Sequence, residues 1–114
     1  MTLRRTAICA IALCLCAGGA AAIEPVMVLS YGANNCERFL RAPHTEKLMY
    51  LSWAEGFISA ANMGDAGASR MAGMFWNQAV NTAWLQSYCT LNPKDGFVAA
   101  ATALRTSLGG HKPK

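Results

Sequence analysis

Charge and histidine are scarce in this sequence. Only 14% of its 114 residues are Asp, Glu, Lys or Arg, and two are His. No acidic or basic tract exists, so the electrostatic footprint of a nucleic-acid-binding protein is missing. The two histidines, His44 and His111, have no Ser or Cys nucleophile at a suggestive position and no partner to hold a tautomer, which leaves no triad. No His or second Cys lies at ligand spacing from Cys36 or Cys89, so no metal site is expected. The glycine-rich residues 64–73 lack the Lys-Ser/Thr ending and the preceding strand of a phosphate cradle. No pair of carboxylates stands out as the acid and base of a glycosidase; Asp65 and Asp95 are companions to Glu55 by count alone. The expectation is a protein that is not an enzyme and carries no cofactor.

A long hydrophobic run is missing too. Residues 7–16 are almost continuously apolar, but a membrane span needs ~20 such residues. Arg4 and Arg5 precede the run, and small residues follow it, ending Ala20-Ala21-Ala22. That order matches a secretory signal peptide over residues 1–22, with the mature chain starting near Ile23. Leu13 before Cys14 and Leu15 before Cys16 argue against a lipoprotein, and the surroundings of Arg4-Arg5 fit the twin-arginine signal poorly. The expected location is the periplasm, with no stable membrane insertion after cleavage.

About 92 residues then remain, one small domain over 23–114 with a core at about 34–108. Its acids are Glu24, Glu37, Glu46, Glu55, Asp65 and Asp95. Its bases are Arg38, Arg41, Lys47, Arg70, Lys94, Arg105, Lys112 and Lys114, leaving two positive charges in excess. A core this small usually needs a covalent staple. Cys9, Cys14 and Cys16 leave with the leader, so Cys36 and Cys89 are the pair for one disulfide; two free thiols are the alternative. Closing a loop of that length is worth ~4 kcal/mol by the chain-entropy model.

The pattern is all-α: a small bundle of four unequal helices. Residues 23–33 form an irregular lead-in. Asn34 and Asn35 can cap a short helix through Cys36, Phe39 and Leu40, which Pro43 stops. Residues 45–63 carry a narrow polar stripe, Ser52, Glu55, Ser59 and Asn62, on an otherwise apolar helix, as expected of a central element. Gly56 within it suggests close approach by another helix. Residues 64–73 are a glycine-rich break with room for one helical turn near residues 70–74. Residues 75–90 form a third helix with Trp76, Val80, Ala83, Trp84 and Tyr88 facing inward and Asn77, Gln78, Asn81 and Gln86 outward. Asn92-Pro93 restarts the chain as cap and first residue of a fourth helix bearing Phe97, Ala101, Leu104 and Leu108, ended by Gly109-Gly110. Trp53, Phe57, Trp84 and Phe97 are the expected centre, and His111 belongs to a solvated tail.

Three groups suggest binding or pH sensitivity. Met49 is expected in the core. Met71 and Met74, beside Phe75 and Trp76, suggest an exposed apolar patch under a mobile loop; with Trp53 and Phe57 they form the candidate protein-binding set. Glu55, flanked by aromatics, would protonate in mild acid if partly buried. His44 at a helix start is a second candidate pH-sensitive group.

Two segments carry a family resemblance. Asn35-Cys36-Glu37-Arg38-Phe39-Leu40 is similar to the Cys-x-x-Phe-Leu opening of the HdeA/HdeB family of periplasmic acid-stress chaperones, and Tyr88-Cys89-Thr90-Leu91-Asn92-Pro93 resembles the Tyr-Cys-x-x-Asn-Pro that closes that family's disulfide. Trp53-Ala54-Glu55-Gly56-Phe57 falls where the family has an aromatic, glycine-containing central helix. The resemblance covers most of residues 35–104. It implies a helical holdase whose disulfide persists while acid loosens the rest, exposing apolar surface to unfolding clients. A lesser likeness is to Tai-type periplasmic immunity proteins, which imply one secreted effector as partner. Either way the expected partners are proteins: clients, one specific protein, or a second copy of the chain.

Overall fold

The computed structural model describes residues 27–112. The expected leader, with Cys9, Cys14 and Cys16, lies outside them. Among the described residues the chain forms four α-helices and no strand: α1 (Cys36–Arg41), α2 (His44–Met63), α3 (Gln78–Leu91) and α4 (Phe97–Ser107). Short 3-10 turns at Ser30–Ala33 and Gly67–Met71 precede α1 and follow α2. None of these helices is long and apolar enough to cross a membrane.

Local chemistry explains most boundaries. Asn35 caps α1, its side chain accepting from the Arg38 amide at 3.0 Å. Pro43 ends the α1 segment and also opens α2, where its missing N–H costs nothing; Thr45 is already inside that helix. Asn77 caps α3 by accepting from the Val80 amide at 3.0 Å, so Phe75 and Trp76 stay in the loop rather than joining the helix.

The expected restart at Asn92-Pro93 does not occur. Residues 92–95 form a turn, and α4 begins only at Phe97. The turn is held by α1, whose first free amides bond to it. The Cys36 N–H donates to the Asp95 carbonyl at 2.8 Å and the Glu37 N–H to the Pro93 carbonyl at 3.0 Å. These two bonds satisfy donors that any helix start leaves open. The Phe97 N–H then donates to the Asn34 carbonyl at 2.7 Å, and Asn35 bridges Gly96. Tyr88 completes the junction by donating its hydroxyl to Asp95 Oδ2 at 2.7 Å, which with burial pushes its pKa up to about 12.

The Cys36–Cys89 disulfide crosses the same junction, with the Cα atoms 4.9 Å apart. It ties the first residue of α1 to the end of α3. Around it Phe39, Tyr50, Leu85, Phe97 and Leu104 are fully buried. Phe39, Tyr50 and Phe97 form a triangle with centroids 4.8–5.3 Å apart, a favourable aromatic spacing. Tyr50 is affordable there because Asn34 donates to its hydroxyl at 2.9 Å.

The centre therefore differs from the expected one. Only Phe97 of the four expected aromatics is fully buried; Trp53, Phe57 and Trp84 pack on the rim. Met49 is exposed rather than in the core. Gly56 faces open space, and the close approach occurs at Gly32, where a Cβ would collide with the six-membered ring of Trp53. The third helix is rotated from its expected facing: Asn81, Leu85 and Cys89 are buried, whereas Val80 and Ala83 face solvent. Leu85 and the bridged Cys89 set that rotation, because the disulfide leaves Cys89 no other direction.

Candidate functional site

The one charged residue of α4, Arg105, is buried among Leu104, Ala101 and their neighbours. A guanidinium in that position needs partners. Its Nε donates to Asn62 Oδ1 at 3.0 Å, and its Nη2 to Asp65 Oδ2 at 2.7 Å and to the Ser69 carbonyl at 3.1 Å. Asn62, in the last turn of α2, donates in turn to the Ala72 carbonyl at 2.8 Å. The cluster is a polar clamp. It gathers the end of α2, the loop over residues 64–74 and α4 around one cation.

The C-terminal tail closes the clamp from outside. Gly109 has φ 102°, a left-handed conformation that turns the chain back, and Gly110 lies so close over the Arg105 stem that a Cβ would collide with it. His111 is thereby carried to Asp65, its Nδ1 2.8 Å from Oδ1. His111 is exposed, as expected of a solvated tail, but it is paired with Asp65. Asp65 also accepts from the Ala66 amide at 2.9 Å. Arg105 first, then this amide and His111, hold the Asp65 carboxyl well below the usual carboxylate range.

The clamped loop carries an apolar lip. Met71 and Met74 are more than half exposed and Phe75 is 85% exposed. Met63, 82% exposed, ends α2 next to Asn62, and the Asn62–Ala72 bond sets it beside the same loop. Trp76 turns inward onto the core instead. Trp53 and Phe57 stack on each other with centroids 5.3 Å apart, partly buried against the core. Of the six candidate protein-binding residues, Met71, Met74 and Phe75 are thus each exposed on the same loop, whereas Trp53, Phe57 and Trp76 pack against the core.

Neither expected pH-sensitive residue lies in the clamp. Glu55 stays on the exposed stripe of α2, so it is not the partly buried carboxylate envisaged, and His44 is exposed at the first residue of α2. Sequence reasoning missed Arg105 and Asn62. The available signal was Arg105 itself, a lone charge in an apolar helix that requires an acid elsewhere. Among the described residues no group of three or more His, Cys, Asp or Glu could hold a metal ion.

Comparison with protein-family models, with curated proteins and with solved structures returned no match to this chain.

Proposed function

We propose that this is an exported, non-enzymatic protein-binding protein, a periplasmic acid-stress holdase of the HdeA/HdeB kind. The observation that carries the reading is an apolar lip on a loop whose polar fastening centres on the Asp65–Arg105 pair. Protonating Asp65 removes the anion that Arg105 and His111 grip. The sign follows from the depressed folded-state pKa: the clamp's contribution is complete above the ordinary carboxylate value near 4 and is lost as pH falls through the lower folded value. The loop then keeps only the bonds that its Ser69 and Ala72 carbonyls accept from Arg105 and Asn62, and it loosens to widen the apolar surface, while the disulfide, which does not titrate, keeps α1 tied to α3. The resemblance of the two cysteine segments to that family and the oxidising compartment a disulfide requires support the same reading.

The test is suppression of aggregation of unrelated acid-denatured proteins at pH 2–3, followed alongside binding of a hydrophobic dye from pH 7 to 2. Dye binding and client protection rising together below pH 3 is the expected result. A flat dye profile with no client protection removes the holdase.

A second reading rests on Phe75 and Met63 being open in the folded molecule without acid. A surface already displayed at neutral pH suits an inhibitor or immunity protein that binds one secreted effector. It requires tight one-to-one binding at pH 7 and no protection of unrelated clients.

A further inference from the structure

Sulfur is distributed in this molecule against its usual preference. Methionine is among the side chains most often buried in proteins. Here the core cluster contains none, and the five methionines among the described residues, Met27, Met49, Met63, Met71 and Met74, are 54–82% exposed. The other described sulfurs belong to Cys36 and Cys89, which are bonded to each other and fully buried. Among the described residues no free thiol therefore intercepts an oxidant ahead of the thioethers.

Three of the five belong to the apolar lip. Met71 and Met74 are the end residues of a tight turn. Ala72 has φ −56° and ψ 126°, Gly73 has φ 81°, and the Met74 N–H donates to the Met71 carbonyl at 3.0 Å. This is a type II turn, with glycine in the left-handed position and the end Cα atoms within about 7 Å of each other. Ala72 is buried, and its carbonyl accepts from Asn62, the residue before Met63. The backbone is thus fixed by groups that contain no sulfur, and the thioethers are left to solvent.

We infer that Met63, Met71 and Met74 are a modification site: two-electron oxygen donors of the hypochlorous acid class convert them to methionine sulfoxide in the folded protein, which switches the lip off as an apolar surface. In each step an S–O bond forms and the O–Cl bond breaks. Sulfur is oxidised by two electrons, chlorine leaves as chloride, and the hydroxyl proton passes to solvent. A flexible apolar side chain becomes a polar one, and Phe75 is the part of the lip that stays apolar. The fold persists, because neither the aromatic core nor the Asp65–Arg105 pair contains a thioether. The change is reversible: methionine sulfoxide reductases, one for each epimer, return the oxygen as water. Loss of binding to other proteins rests on the function proposed above; loss of apolar surface does not.

The test treats the purified protein at pH 7 with a few equivalents of hypochlorite per methionine. Peptide mass spectrometry should find one added oxygen on each of Met63, Met71 and Met74 while far-ultraviolet circular dichroism is unchanged. Retention on a phenyl column at pH 7 should shorten, and reductase treatment should restore it. Met27 and Met49 gain oxygen as well, so variants separate the contributions. Met63→Leu/Met71→Leu/Met74→Leu keeps an apolar lip without thioethers, by swaps that conserve volume, and should hold its retention through the treatment. Met27→Leu/Met49→Leu should lose retention as the natural chain does. Protection of acid-denatured clients should also fall after oxidation; no protection by untreated protein refutes the holdase, and the column still decides the modification site. The inference is overturned if the three methionines gain oxygen only once circular dichroism reports unfolding, if their oxidation leaves retention unchanged, or if the triple leucine variant loses retention like the natural chain.

Discussion

Two glycine-to-alanine substitutions should move stability in opposite directions. At Gly32 the backbone lies close to Trp53, and an added Cβ collides with Cζ2, Cη2 and Cε2 of its six-membered ring. That ring is hemmed in by Phe57, stacked at 5.3 Å, and by Phe97 at 6.0 Å. Gly32→Ala must push the indole outward or shift the turn at Ser30–Ala33, and overpacking of this kind costs about 1–3 kcal/mol. Gly56 sits mid-helix in α2 with nothing within 4 Å of an added Cβ. There alanine removes only glycine's excess backbone freedom, a gain of about 0.5–1 kcal/mol. In a domain of this size 1 kcal/mol shifts Tm by ~4–8 °C. Gly32→Ala should therefore lower Tm by ~4–24 °C, and Gly56→Ala should raise it by ~2–8 °C, read by far-ultraviolet circular dichroism. Tryptophan emission should red-shift in the first variant only. A neutral Gly32→Ala, or a destabilising Gly56→Ala, would refute the placement of Trp53 and the open face of α2.

Three further outcomes follow from the same geometry. Replacing both Cys36 and Cys89 by Ser should cost ~4 kcal/mol on the chain-entropy estimate for a loop of this length, measured by urea unfolding with and without reductant; an unchanged midpoint contradicts the staple. Asp65→Asn should reproduce the acid condition at neutral pH, raising dye binding at pH 7 and flattening the change between pH 4 and 2, whereas Glu55→Gln should leave the profile as it is. Tyr50→Phe removes the hydroxyl that accepts from Asn34 and should lower stability by about 1 kcal/mol by thermal unfolding, with the core aromatics otherwise in place.

The parts of this fold legible in the sequence are those decided by neighbours in the chain. Asn35 before a helical run, Pro43 after it, the glycine-rich break beyond Met63 and Gly109-Gly110 at the end of α4 all act within a few residues, and Cys36 and Cys89, the two cysteines among the described residues, had one pairing. Facing and contact were harder to read. Trp84 outweighs Leu85 in any tally of apolar bulk, yet the disulfide at Cys89 fixes which side of α3 points inward. Asn92-Pro93 has the form of a helix start, but the carbonyls of that turn are taken by the α1 amides of Cys36 and Glu37, more than fifty residues earlier in the chain. The clamp is assembled from α2, the loop, α4 and the tail, with Arg105 and Asp65 forty residues apart, and no local pattern links them.

The Cys36–Cys89 bond makes a ring of the backbone between those residues, and the loop bearing Met71 and Met74 lies inside it. One proteolytic cut in that loop severs the polypeptide without releasing a fragment. The two pieces, one holding each sulfur, migrate as a single species on a non-reducing gel and part only when a thiol is added. A nicked molecule of this kind keeps both severed strands anchored at the junction of α1, α3 and α4, so damage in this exposed loop leaves the opposite end of the bundle tethered.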